Sequence, residues 1–264
     1  SSFSEMVGGM GYFFMIVLPV TALFGLLIIP DNQKTEGTSF PKLSDLPLIL
    51  KDNRPLVRTL FIEFLCSSAS SISAVTYIYL AKYVFDLEDI SSRILFLYFF
   101  AGLLVMPIWM KVSYLIGKPR TLLISTILCS LTLATYLFID TNDALSTLIT
   151  LTILYGIGYG APFTLTRALM ADIVDADELR SDKKRPGLFY SILTTFSKVG
   201  AAIAVGLVYT YLEFKGFKPD QIASDKIKEI LLFVFAFVPM ILYFCATLFC
   251  IGYELTSEKH KEIQ

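Results

Sequence analysis

The chain has 264 residues, of which 55% are hydrophobic and only 17% charged, too little charge to cover a water-soluble surface of that size. A formal net charge of -1 excludes a general attraction to nucleic acid, so no nucleic-acid partner is expected. Cys66, Cys129, Cys245 and Cys250 lie in apolar runs without C-x-x-C spacing and His260 stands alone in a charged tail, a pattern that indicates neither a metal site nor a resident cofactor.

The apolar residues fall in runs of roughly twenty, long enough to cross a bilayer core as a helix, and membrane lipid is the expected surrounding. Residues 1–10 lack a basic n-region and a following cleavage site, so no signal peptide is expected. The first run, Gly11 to Ile29, contains Pro19 and ends at Pro30-Asp31-Asn32. Residues 31–53 form the longest polar connection, with an apolar patch Leu46–Leu50 expected to lie along the membrane face. Six further spans follow: Leu56–Leu80, Ile94–Trp109 (reaching Ile116 if Lys111 snorkels), Thr121–Ile139, Leu145–Met170, Leu188–Leu212 and Ile230–Tyr253. The expected fold class is an all-α polytopic membrane protein with about seven transmembrane helices.

Basic residues gather in alternate connections. Lys34, Lys42, Lys51, Arg54 and Arg58, then Lys111, Lys118 and Arg120, then Arg180 to Arg185, then Lys259 and Lys261 outnumber Lys82, Arg93, Lys215, Lys218, Lys226 and Lys228 on the other side. The positive-inside rule puts the first set, the 31–53 linker and the C-terminus in the cytoplasm, as in a multi-pass protein of the cell membrane. One span before the linker and six after it suit a six-plus-six protein cut ahead of its sixth span. The expected division is therefore 1–30 as the last transmembrane helix of an N-terminal half, 31–53 as the central cytoplasmic linker, and 54–264 as a C-terminal six-helix bundle with a short tail. Five more helices are expected in the same or a separate chain.

Polar groups inside the spans are candidates for function, because a charge at mid-membrane costs about 2.5–3.5 kcal/mol on insertion scales unless sheltered. Glu63, Ser67, Ser70, Ala74 and Tyr77 share one helical face, either the wall of an aqueous cavity or a tight helix contact. Ser191, Thr194, Thr195 and Lys198 repeat the pattern, with Lys198 about 16 Å along its helix, near mid-membrane. Glu63 is a candidate partner for it. In Tyr155-Gly-Ile-Gly-Tyr-Gly-Ala-Pro162 the glycines make the helix bendable or allow close packing, and Tyr159 offers a hydroxyl. Arg167 is expected near the cytoplasmic end of its span, as a snorkelling or gating residue. Beyond that span stand Asp172, Asp175, Asp177 and Glu178, followed by Arg180, Lys183, Lys184 and Arg185. They form either a network closing the cytoplasmic mouth or a solvated turn, and Asp172 and Asp175 are expected to be partly buried. There is no H-E-x-x-H and no histidine in any span, so an enzyme is not expected.

The pieces Asn53-Arg-Pro55, Pro107-Ile-Trp109 before Gly117-Lys-Pro-Arg120, A-D-I-V-D-A-D-E (171–178), R-P-G-L-F-Y (185–190) and Lys198 resemble the glycoside–pentoside–hexuronide:cation symporters of the major facilitator superfamily, the melibiose-permease-like group. The resemblance covers that family's sixth to twelfth helices, with the first five absent. It implies a fold of two six-helix bundles, incomplete here, that moves a sugar or glycoside by alternating access with Na+ or H+. The main cation site is implied in the absent half. Asp172, Asp175 and Arg185 take the place of the cytoplasmic gate, with Glu178 and Arg167 added from their positions; Lys198 takes a place near substrate and cation. The cavity contacts expected are Glu63, Tyr77, Tyr159 and Lys198. Arg167 and Pro186 depart from the pattern, standing where a neutral and an acidic residue are usual. A lysolipid or other small solute, as carried elsewhere in the superfamily, and a non-transporting remnant or partner subunit are the alternatives.

Overall fold

Helices begin and end where the sequence supplies the chemistry for it. In the computed structural model, residues 3–28, 46–51, 53–138, 144–219 and 224–253 are described, and among them every regular element is helical. The chain divides into two compact units, residues 1–39 and 40–264. The first contributes α1 (Phe3–Ile28), whose apolar side chains from Tyr12 to Ile28 are largely exposed within the unit. An isolated helix with that surface is stable only in hydrocarbon.

The second unit opens with α2 (Leu46–Lys51) and α3 (Arg54–Tyr79), the latter extended by a π-helical turn, Leu80–Val84. Asn53 caps α3 by accepting the Leu56 amide at 3.0 Å, and Pro55 occupies the first turn, where no donor is needed. α4 (Glu88–Ile116) runs as one helix through Pro107. It stops at Gly117, whose φ of 90° lets the chain turn directly into α5 (Lys118–Tyr136). α6 (Ala144–Ser181) is 38 residues long. It ends at Asp182 with φ 54°, and Pro186 starts α7 (Pro186–Phe214). The last span is α8 (Asp225–Leu232), a π-helical turn Phe233–Phe237 and α9 (Val238–Cys250).

Among the described residues, six helical stretches are long and apolar enough to cross a membrane: Gly11–Ile28, Arg54–Val84, Glu88–Ile116, Leu145–Ser181, Pro186–Phe214 and Asp225–Cys250. The seventh expected span, α5, falls short of that standard for a physical reason. It lies against α6 and α9, and Thr121, Ser125, Thr126 and Thr132 are buried there rather than turned to lipid. Thr126 meets Thr247 of α9 at 2.9 Å and Ser130 donates to the Met240 carbonyl at 3.1 Å. Its outer face is apolar, with Ile124, Ile127 and Leu131 exposed, but the hydroxyls on its protein-facing side lower the average hydropathy.

α3 packs along α7 and α9 and touches α6, while α6 also carries α4 and α5. Glycines set the closest approaches. A Cβ on Gly156 would come within 2.4 Å of the Tyr98 carbonyl oxygen of α4, and one on Gly160 within 2.6 Å of the Gly102 oxygen. Gly158 faces Cys129 of α5 in the same way, at 2.7 Å from its Sγ. Of the two readings of the Gly-rich stretch, close packing is the one the geometry carries. Trp109 belongs to the same seam, buried and donating to the Ile157 carbonyl at 2.8 Å. On α7, Gly200 brings the helix against the Phe64 carbonyl of α3.

Candidate functional site

Glu63, Tyr159 and Lys198, carried by three different helices, line one cavity of about 200 Å³ together with Ser67, Ser70 and Ser197. α3 supplies the carboxylate and two of the serines, α6 the tyrosine and α7 the lysine with Ser197. The α3–α7 wall is pinned by Ser67 donating to the Ser197 carbonyl at 2.8 Å and by the two serine hydroxyls at 3.2 Å. The polar face of α3 is thus both a cavity wall and a helix contact.

Glu63 is held on the α6 side. Thr166 donates to its Oε2 at 2.7 Å, and Arg167 Nη1 lies 3.9 Å from its Oε1. Arg167 is fixed in turn by donating to the Phe163 carbonyl at 2.7 Å and by lying 4.1 Å over the Phe163 ring. α6 continues eleven residues past Met170, so Arg167 stands inside a longer helix than expected, where it faces Glu63. Lys198 is exposed on the cavity side of α7 and makes no ion pair among the described residues, Glu63 being engaged by α6. Ser191, Thr194 and Thr195 donate to carbonyls of their own helix.

Tyr77 is separated from this group. It lines a second cavity of about 50 Å³ with Ser73, Tyr98, Tyr136, Thr152 and Tyr155, and its buried hydroxyl makes no hydrogen bond of good geometry.

The charged residues after Met170 are helical up to Ser181, not a loop. Asp172 pairs with Lys118 at 2.6 Å, and the same ammonium donates to the Ala168 carbonyl at 3.0 Å. Arg185 grips Asp177 with two bonds, 2.7 and 2.9 Å, and lies 5.9 Å over the Phe189 ring. Glu178 meets Lys184 at 3.3 Å. Asp175, expected to be partly buried, is exposed and makes no ion pair among the described residues. Sequence reading therefore placed Asp177 in the charged network without singling it out, and omitted Lys118 and Thr166. The eight-residue spacing of Asp177 and Arg185 was the one available signal; the others meet partners 54 and 103 positions away.

At the same end α2 seats Ile49 in an apolar cluster with Leu56, Leu60, Met170, Ile173 and Phe189. Ile49 and Leu50 of the Leu46–Leu50 patch are accordingly packed on protein. Arg58 donates to the carbonyls of Ile251, at 3.2 Å, and Gly252, tying the start of α3 to the end of α9. Tyr253 donates to the Pro55 carbonyl at 3.2 Å, and its burial pushes the phenol above its ordinary pKa, which keeps that proton in place. His260 and the tail lie outside the described residues, as do positions 29–45.

The cavity offers a carboxylate, an ammonium, a phenol and several hydroxyls inside spans that lipid surrounds, a set suited to hydrogen-bonding a polar solute. Among curated proteins the chain is similar to an uncharacterized symporter of Synechocystis, at 25% identity over 98% of this chain and 52% of that protein. It is 27% identical to a glucuronide carrier protein homolog of Escherichia coli over 100% of this chain and 58% of the other. A putative glycoside/cation symporter of E. coli is 23% identical over 86% and 49%. The chain thus spans about half the length of the curated relatives it matches. Residues 6–257 match the family described as MFS/sugar transport protein. With nearly its whole length inside that match, this all-α, multi-pass membrane chain belongs to the MFS/sugar transport family, a family of transporters and not of enzymes.

Proposed function

We propose that the chain is part of a secondary active transporter that moves a sugar or glycoside across the cell membrane by alternating access, coupled to Na+ or H+. The observation that carries this reading is the meeting of Glu63, Tyr159 and Lys198 on one polar cavity within a chain of the sugar-transport family. The relatives named as symporters support the coupling. Their length supports a partner half: α1 is then the last helix of the N-terminal bundle, 31–53 the linker, and 54–264 the C-terminal bundle of a melibiose-permease-like carrier, its sixth to twelfth helices. The end bearing Lys118, Asp172 and Arg185 faces the cytoplasm, where Asp172–Lys118 and Asp177–Arg185 hold the rim. The exposed Asp175 is available to the other half, and Arg167 serves the cavity through Glu63.

In this reading a sugar hydroxyl is bound by Glu63 and the serines, a ring face by Tyr159, and Lys198 answers a carboxylate of the other half or of the solute. The test is uptake by the protein completed with its N-terminal helices, across a panel of sugars, with Na+ and H+ gradients imposed separately. Lys198→Ala and Glu63→Gln should each lower uptake at least about tenfold, the loss of one charge-assisted bond of about 1.4 kcal/mol or more. Wild-type uptake that ignores every sugar and both gradients would refute the proposal.

One observation favours a second solute. An apolar groove of about 330 Å³ lies between α3, α7 and the Phe233–Leu242 stretch, lined by Phe64, Ile72, Leu207 and Val234 and reaching Ser68, next to the polar cavity's Ser67. A lysolipid would place its chain there and its headgroup at Lys198. Competition of lysophospholipid, but not sugar, against uptake would select it.

A further inference from the structure

The 50 Å³ cavity beside Tyr77 is not part of the polar cavity and no step of the proposed transport uses it. It is formed where α3, α4, α5, α6 and the π-helical turn before α9 meet, and it is rich in hydroxyls for an intramembrane space: Ser73, Tyr77, Tyr98, Tyr136, Thr152 and Tyr155. Tyr77 is only 4% exposed, and its hydroxyl closes no hydrogen bond of good geometry, although the Thr152 side chain stands near it. A buried phenol left in that state is costly, and natural structures rarely keep one.

Size decides what could satisfy it. A water occupies about 30 Å³ in the liquid and needs two to four polar partners, so this cavity of about 50 Å³ takes one or two waters and is too small for a sugar ring. The partners are at hand. Ser73 accepts the Tyr155 proton at 3.1 Å, which leaves its own O–H to donate, and Thr152 lies 3.4 Å from the Tyr136 hydroxyl. Tyr155 also reaches Tyr243 at 3.4 Å, and Tyr243 lines the cavity of Glu63 and Lys198.

We infer that this cavity is a water-binding site, anchored by the Tyr77 hydroxyl, from which a line of buried hydroxyls, Ser73, Tyr155 and Tyr243, runs to the polar cavity. The site keeps that line hydrated from the far wall of the bundle. It does so whichever solute the polar cavity takes, so it stands or falls separately from the transport reading.

Two measurements on the detergent-solubilised chain test it. X-ray radiolytic footprinting generates radicals from bound water in place. Tyr77 should therefore be modified at least about tenfold faster than Phe189, which is as buried but lies in the apolar cluster at the other end. In parallel, Tyr77→Phe removes one oxygen and nothing else. A hydrated site loses a water contact, and the unfolding midpoint should fall by about 2–4 °C. In a dry cavity the same change relieves an orphaned group and raises it. Labelling of Tyr77 no faster than of Phe189, or a midpoint that is unchanged or higher, overturns the inference.

Discussion

Asp177 and Arg185 show how much geometry matters at the scale of single residues. Four acidic side chains stand near the C-terminal end of α6, where the helix macrodipole is already negative and unfavourable to them. The bidentate Arg185 fork offsets that repulsion, and its side chains are only 15% and 11% exposed. Asp177→Asn should therefore destabilise the chain by about 1–3 kcal/mol despite removing a charge the dipole disfavours, since Arg185 is left partly buried without its carboxylate. Lys184→Ala should cost less than about 0.5 kcal/mol, its partner Glu178 being solvated and the lysine 78% exposed. Thermal unfolding of both variants in one detergent checks the contrast. Glu63 and Lys198 were legible as singular residues because depth alone marks a charge inside an apolar run. The partner of Glu63 was not, because Thr166 reaches it only through the packing of α6 on α3, just as Lys118 reaches Asp172 only through the packing of α6 on α5.

Among elements, the glycine seam between α4 and α6 makes the sharpest demand. A methyl on Gly156 meets backbone, not a movable side chain, so the helices themselves must part. Gly156→Ala should lower stability by about 1–3 kcal/mol. Gly206→Ala, with nothing within 4 Å of the added carbon, should be neutral or gain up to about 1 kcal/mol from helix propensity. Equal effects of the two in a thermal melt would mean that the seam is not tightly packed. The sequence placed most helices to within a few residues, yet it ended α6 at Met170. Hydropathy finds where lipid stops; A-D-I-V-D-A-D-E-L-R-S is polar but contains no Gly or Pro, and the helix goes on to Ser181. α5 shows the converse, a helix whose buried hydroxyls dilute the signal that marks lipid-facing spans.

For the molecule as a whole, topology and completeness are the open tests. Cysteines placed at Lys184 and at Glu88, exposed at opposite ends of the six-helix unit, should react with an impermeant thiol reagent from opposite sides of a sealed vesicle, Lys184 from the cytoplasmic one. Labelling of both from one side would reverse or break the proposed orientation. Alone, the chain should give no coupled uptake in proteoliposomes, because about half the length of its relatives is absent from it.

α6 is about 57 Å long at 1.5 Å per residue, nearly twice the hydrocarbon thickness of a bilayer. Its glycines clamp it to α4 and α5 around Gly156–Gly160, and from there about 30 Å of continuous helix leads to the Asp177–Arg185 pair. That makes it a lever with an off-centre fulcrum: a swing of about 10° would carry the acidic tip some 5 Å sideways over a length set by the rise per residue. A displacement of that size would exceed the reach of an ion pair, so in the proposed carrier a modest tilt beside the solute would become an all-or-none change at the rim.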